Sequence, residues 1–231
     1  RGRRGSKAVQ LGFPAVGDVG RIPTMEIERT PSKPTGDTVR VPAINVSVMT
    51  LTIAGLSPLI TNPMGKKAEE QIAAKQQGRA LMKKAPRDPE AEYQAARYVD
   101  EQGRDCFPAI NFKCALITAA RAAGGITMTE VRQFVFVRGD LLPLKYKERV
   151  SRTDIRRVGG RGGPGTGVAS PVYRAEYRDW SVELTIEYNA NIFTADEIAN
   201  LVRLAGYYGG VGEWRPQKSA GQFGRFDVQM T

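Results

Sequence analysis

The stretch Gly206-Tyr-Tyr-Gly-Gly-Val-Gly-Glu-Trp-Arg-Pro-Gln-Lys-Ser-Ala-Gly-Gln-Phe-Gly-Arg-Phe-Asp-Val228 sets glycines at 206, 209, 210, 212, 221 and 224 among aromatic and cationic residues. Glycine admits positive φ and lets the backbone approach another chain or a ligand closely. Trp214, Arg215, Lys218, Phe223 and Arg225 add π-faces and positive charge, a pairing that suits a phosphate chain with exposed bases. A glycine-rich turn before a last strand, with Trp214 in the core, accounts for the same residues. Either way the stretch is a loop between a helix and a strand.

Upstream, Thr194 and Glu197 have the spacing of a capping box, and Phe193 and Ile198 that of a hydrophobic staple. They predict a helix through Leu201, Val202 and Ala205. Before it, Val182, Leu184, Ile186 and Tyr188 alternate with Glu183, Thr185 and Glu187, as in a half-exposed antiparallel strand. Downstream, residues 223–230 read as the closing strand. Near the other end, residues 44–54 read as the first core strand. Ile44, Val46 and Val48 share one face, and Met49, Leu51 and Ile53 then take the other. A strand buried on both sides, or one with a bulge, has this pattern.

Residues 107–121 predict a helix with Asn111 as N-cap and an apolar stripe of Phe112, Leu116, Ala119 and Ala123, stopped by Gly124 and Gly125. Lys113 opposes the dipole of its first turn, a mismatch that a bound phosphate or plain solvation offsets. Residues 131–137 read as a strand with Phe134 and Phe136 on one face. The core order is strand, helix, strand, long excursion, strand, helix, glycine-rich loop, strand. That order suits an α+β fold with an antiparallel sheet and ferredoxin-like, split βαβ character.

The remaining segments divide the chain. Residues 1–43 form an extended basic arm, with Arg1, Arg3, Arg4 and Lys7 followed by Pro14, Pro23, Pro31, Pro34 and Pro42. It is either a solvated tail or an arm lying on a neighbouring subunit or on nucleic acid. Residues 44–231 form a single α+β domain with insertions at about 79–105 and 138–172. The stretch 65–78 is helix-compatible with a thin apolar face, and 90–98 is a short helical piece of the first insertion. In the second, regular pattern fades. Lys145, Lys147, Arg149, Arg152, Arg156, Arg157 and Arg161 outnumber Glu148 and Asp154 and are expected to be exposed and to contact nucleic acid, and the glycine run 159–167 follows. A structureless loop of this length is functional or disordered. No Gly-Lys-Ser/Thr closes the run, so it is not a P-loop.

Composition bounds the function. The 231 residues carry 34 Lys+Arg against 24 Asp+Glu, a formal net charge of +10, which points to a polyanionic partner. No apolar run spans a bilayer and no signal-peptide core is present, so a membrane is not the expected partner. Histidine is absent. That removes the commonest general acid/base, every Ser-His or Cys-His pair and most zinc sites. Cys106 and Cys114 fit a reducing compartment as small hydrophobes, and the expected location is the cytoplasm. Asp88, Asp100, Glu101, Asp105, Asp140 and Asp154 show no metal-ligand pairing. A chain starting at Arg1 reads as processed or as a fragment.

Three segments together resemble the RAMP proteins of CRISPR systems. Phe107-Pro-Ala-Ile-Asn-Phe-Lys-Cys-Ala-Leu116 is similar to their I-P-G-S-S-h-K-G-A-L-R segment. The stretch from Gly212 through Gly221-Gln-Phe-Gly-Arg-Phe226 is similar to their C-terminal glycine-rich loop, and Ser57-Pro-Leu-Ile60 to their first-strand exit. The resemblance spans about residues 44–230 and is greatest to the backbone subunits that polymerise along guide RNA. It implies a core of RNA-recognition-motif type, with a thumb-like insertion in the place of 138–172. It also implies Asn111 and Lys113 near the RNA backbone, and Gly212, Gly221 and Gly224 in the glycine-rich loop. Ala109 and Cys114 depart from the pattern, standing where the family has glycines. Target-cleaving members carry an aspartate after the first strand, whereas residues 55–67 here contain no acid; RNA-processing members use histidine.

The expectation is therefore a non-catalytic RNA- or single-stranded-DNA-binding protein that oligomerises along its ligand, with Trp214, Phe223 and Tyr207 or Tyr208 as the candidates for stacking on bases. It needs no cofactor and no metal. Its partners are other copies of itself and further subunits of a ribonucleoprotein complex, and a phage or mobile-element relative would look the same. The alternatives are a structural assembly protein, viral or cellular, whose arm and loop make subunit contacts, and a metal-dependent nuclease.

Overall fold

The long strand that starts the core runs from Val46 to Gly55 (β1) in the computed structural model, which describes residues 43–63, 66–78, 86–158, 168–218 and 221–229. There follow β2 (Leu59–Thr61), α1 (Lys66–Gln76), α2 (Pro89–Ala95), β3 (Cys106–Pro108), α3 (Ala109–Ala123), α4 (Met128–Phe134), β4 (Val135–Val137) and β5 (Leu141–Pro143). The chain continues through β6 (Glu148–Val158), β7 (Val168–Arg178), β8 (Ser181–Asn189), α5 (Ala195–Leu204), a π-helical turn (Ala205–Gly209) and β9 (Phe226–Val228). The main sheet has the order β4-β8-β1-β9, with every pairing antiparallel. Taken in chain order, its four strands lie as second, third, first, fourth. Helix α3 joins the first two, and α5 joins the last two. This is the ferredoxin-like βαββαβ arrangement expected from the element order.

β1 pairs with β8 without interruption from Val46↔Asn189 to Ala54↔Ser181. There is no bulge, and the strand is not buried on both sides. Ile53 is fully buried, while Val46 and Val48 keep 53% and 46% of their surface in solvent. A regular strand has period two, so apolar runs that are out of phase cannot both face the core. The helices cover the odd-numbered face, and the valines are left on the open one.

Four further readings are corrected. Residues 131–137 are not one strand: Thr127 and Glu130 close a capping box that carries α4 through Phe134 before β4 begins. Asn111 is not an N-cap. α3 starts at Ala109 behind Pro108, whose φ of −66° is already set for a helix start, so Asn111 is its third residue. The excursion after residue 138 is not structureless. β6 and β7 are eleven residues each, paired in full from Glu148↔Arg178 to Val158↔Val168, and β2 extends them into a second sheet. At about 3.4 Å per residue this hairpin is about 37 Å long. β6 carries charge on both faces and β7 carries Arg174, Glu176 and Arg178 on one, so the binary pattern is weak, while Val150, Thr153, Ile155, Val168 and Val172 supply β-branched propensity. The closing strand is shorter than 223–230, spanning Phe226–Val228. The glycine run 159–167, Arg161 and the arm expected over 1–43 lie outside the described residues, save Ala43.

The core lies between the main sheet and α3 and α5. Phe112, Leu116, Ala119 and Ala120 of α3 meet Ile198, Leu201 and Val202 of α5 and Val182, Leu184 and Ile186 of β8. An edge-to-face aromatic chain crosses it. Tyr98–Phe107, Phe107–Phe112, Phe112–Phe226 and Phe226–Trp180 have ring centroids 5.9, 5.5, 5.8 and 6.2 Å apart. Such pairs add about 0.5–1.5 kcal/mol each beyond burial. The chain ties the 86–105 insertion, α3 and the last strand together beneath the glycine-rich loop. Among the described residues no helix is long and apolar enough to cross a membrane.

Candidate nucleic-acid interface

The glycine-rich loop folds back on the segment that follows β1. Val211 N–H donates to Gly224 O (2.9 Å), Gly224 N–H to Pro58 O (2.8 Å), Glu213 N–H to Ile60 O (2.9 Å) and Phe223 N–H to Trp214 O (3.1 Å). Gly212 has φ +76°, and a Cβ there would lie 2.5 Å from the Ile60 carbonyl oxygen. Gly224 has φ +65°, and a Cβ would overlap the carbonyl oxygen of Val211; one at Gly221 would overlap that of Trp214. The close approach these glycines permit is thus to the chain's own backbone. A side chain at Gly212 disturbs folding directly, so its replacement does not separate binding from stability.

This packing opens a polar cleft of about 140 Å³ between the end of β2, the first turn of α3 and the loop. Asn111, Gly212, Arg215 and Lys218, all named from the sequence, line it together with Asn62 and Tyr98. Arg215 is oriented by a hydrogen bond from Nη1 to Gly212 O (2.9 Å), and Lys218 is exposed. Glu213 also borders the cleft but is drawn toward Arg174, 2.7 Å from its Nε. Asn62 was not singled out from the sequence, since an Asn-Pro pair after a strand reads as a turn.

The cations of the excursion divide. Arg149 pairs with Asp105, a carboxylate only 6% exposed that also accepts from Arg97 (2.8 Å), Tyr146 (2.6 Å) and Tyr177 (2.9 Å). Burial pushes the Asp105 carboxyl up, but the hydrogen bonds from Arg97, Tyr146 and Tyr177 and the Arg149 charge outweigh it and hold it below the usual aspartate value. Burial and the bond to Asp105 push the Tyr177 hydroxyl up. Arg152 bridges Asp154 (3.0 Å) and Glu176 (2.9 Å) and lies 4.8 Å from the Phe223 ring centroid. The fully buried Arg174 joins Asp154 (3.3 Å) to Glu213. Arg149 and Arg152 are therefore not free surface charges: they clamp the hairpin to the insertion and to the loop. Their acidic partners lie up to 44 residues away in sequence, a separation that pattern reading does not bridge.

Lys145 and Lys147 are exposed on the approach to β6, and Arg156 and Arg157 lie toward its far end. Lys113 stands apart from the cleft, 4.1 Å from the Phe136 ring centroid, on a hollow of about 370 Å³ with Ile110 and Asp140. Arg225 lies 4.9 Å from the ring centroid of Tyr207. Trp214 and Phe223 are half-buried, and Trp214 has φ +56°.

RNA-recognition sheets stack bases on aromatics of their open face. Here that face presents Val46, Val48, Thr50, Glu183, Thr185 and Glu187, with Phe136 at its edge and Arg138 paired to Glu187 (2.7 Å). Two carboxylates and β-branched side chains do not make a base-stacking platform. Among the described residues no group of three or more histidine, cysteine or acidic side chains is placed to hold a metal ion.

No protein-family model matches the chain, and no curated protein matches it. Among solved structures it is similar to a chain of the Type III-B Cmr-beta bound to cognate target RNA, with a TM-score of 0.49 and 11% identity, covering 80% of this chain and 59% of that one. It is also similar to Cmr6 from Pyrococcus furiosus, with a TM-score of 0.42 and 11% identity, covering 80% of this chain and 98% of that one. This chain thus spans about three fifths of the Cmr-beta chain. Both likenesses concern the fold.

Proposed function

We propose that this protein is a non-catalytic subunit that binds RNA or single-stranded DNA and assembles with other copies along it. The carrying observation is the cleft. Asn111 from α3 and Arg215 and Lys218 from the loop, about a hundred residues apart in sequence, converge on one polar recess in a chain of net charge +10. At about 140 Å³ it is far below the size of a drug-like pocket and suits a small anionic group such as a phosphate. Binding without cleavage accords with the absence of histidine and of any acid over residues 55–67. The same reading takes further ribonucleoprotein subunits as partners and the cytoplasm as the location.

The test is a titration of the native protein and of Arg215→Ala/Lys218→Ala with 20-nucleotide RNA and DNA over a salt series. A single strand contributes a slope of about −0.7 per neutralised phosphate, so the double variant should bind more weakly with a slope shallower by about 1.4. An unchanged slope removes the cleft from the interface. If the native protein binds neither strand, the reading fails. The structural-assembly reading then takes its place, supported by the apolar side chains Val46, Val48 and Phe136 on the open sheet face.

A further inference from the structure

The aromatic residues that remain in solvent are not those at the centre of the glycine-rich loop. Trp180 is 1% exposed and donates its indole N–H to Ser57 O (2.8 Å). Trp214 and Phe223 are half-buried, and Arg152 lies against the ring of Phe223. Tyr207 and Tyr208, in contrast, keep 60% and 50% of their surface in solvent. They sit side by side in the π-helical turn that continues α5.

That turn sets their direction. Ile198, Leu201 and Val202 of α5 and Ala205 of the turn form one buried stripe, and α-helical phase continued from them puts position 207 opposite it and position 208 at its edge. A π-turn inserts one residue into the helical repeat, and such turns occur mostly at functional sites. Gly206 and Gly209 fill the inward positions. A Cβ on Gly206 would collide with the backbone of Phe226, and one on Gly209 would touch Ala115 at 3.4 Å. With the small residues inside, both tyrosines are held outward.

The two rings are nearly perpendicular, at 80° with centroids 5.3 Å apart, and the Arg225 guanidinium lies 4.9 Å from the Tyr207 centroid. Arg225 is fixed by its own backbone: its N–H donates to Ser57 Oγ (3.0 Å) and its carbonyl accepts from Leu56 N–H (2.8 Å). Two exposed rings and a half-buried cation are thus held together by the turn and by the hydrogen-bonded backbone just ahead of β9.

We infer that Tyr207, Tyr208 and Arg225 form a stacking ledge for an unpaired nucleobase, with Arg225 neutralising an adjoining phosphate. The inference rests on the nucleic-acid-binding reading and adds to it the place where bases, rather than phosphates, are met. Every base has a π-face, so the ledge is sequence-tolerant. It also supplies the aromatic platform that the open face of the sheet lacks.

The experiment compares native protein, Tyr207→Ala/Tyr208→Ala and Tyr207→Phe/Tyr208→Phe on a single-stranded oligonucleotide and on the same backbone made fully abasic. The alanine pair should bind the base-bearing strand about 5- to 150-fold more weakly, with an unchanged salt slope. The phenylalanine pair should bind near the native level, and the deficit should vanish on the abasic strand. Photocrosslinking of 4-thiouridine RNA to the native protein should map to Tyr207 or Tyr208 within the tryptic peptide 204–218, since the Arg215–Pro216 bond resists trypsin, which makes the result independent of how the variants fold. Equal losses on both strands, no loss on either, or crosslinks confined to other residues overturn the ledge. If the native protein binds the strand, and Arg215→Ala/Lys218→Ala weakens it while the tyrosine pair does not, the ledge alone fails. If the native protein binds neither strand, the ledge falls with the reading beneath it.

Discussion

Asp105 has more consequence than any other single carboxylate described. It is buried between two arginines and two tyrosines drawn from the 86–105 insertion, the approach to β6, and β6 and β7. Removing one partner from a buried charge cluster is costly because the remaining charges stay buried without compensation. Asp105→Asn should lower unfolding stability by about 3–5 kcal/mol, measured by urea denaturation at neutral pH. The pH dependence follows from the depressed carboxyl. Its contribution is present in full above the ordinary aspartate value of 3.8 and is lost as the pH falls through the lower folded-state value. The native protein should therefore lose stability on acidification in that window. Asp105→Asn should lose less, and equal acid slopes in the two proteins would show that Asp105 does not govern the transition.

Among the elements, the β6–β7 hairpin has two halves with different work. Its base is a chain of ion pairs through Glu148, Arg178, Glu176, Arg152, Asp154 and Arg174 that ends on Glu213 of the glycine-rich loop. The far half carries Arg156 and Arg157, which pair in register with Ser170 and Ala169. Arg152→Ala should lower the melting temperature, because it removes a partner from Glu176 and Asp154 and the cation beside Phe223. Arg156→Ala/Arg157→Ala should leave the melting temperature unchanged and make the salt slope of polynucleotide binding shallower, by up to about 1.4. A melting loss in the double variant, or an unaltered slope, would assign the whole hairpin to structure.

On the scale of the whole molecule, the net charge is shared between residues 1–42 and the remainder of the chain. Residues 1–42 carry eight Lys+Arg and four Asp+Glu, hence +4 of the +10 total, and leave +6 on the remainder. Deleting residues 1–42 should preserve the melting temperature. It should weaken the salt-dependent part of polynucleotide binding and shift sedimentation profiles toward smaller assemblies. An unchanged size distribution with the polynucleotide bound would make the segment a passive tail.

Local signals determined much of this protein from sequence alone. The alternation of Val182 to Tyr188 and the capping box of Thr194 and Glu197 are decided within a few residues of chain, and both elements stand where they read. From these and the element order the ferredoxin-like core was legible; that Asn111, Arg215 and Lys218 line one cleft was not, since they lie about a hundred residues apart. What only the tertiary structure decided depends on partners remote in sequence. Arg149 and Arg152 read as free surface charge until Asp105 and Glu176 are folded against them. The valines of β1 read as core until the helices cover the other face. Gly212 and Gly224 read as ligand-facing until Ile60 and Val211 occupy the space they leave. Tyr207 and Tyr208 were named from the sequence as candidates for stacking, but that both stay exposed beside Arg225 depends on the turn in which Gly206 packs against Phe226. Backbone preference acts over a turn or a strand, whereas charge neutralisation and close packing act across whatever the fold brings together. The first is written in adjacent residues, and the second exists only once the chain has closed on itself.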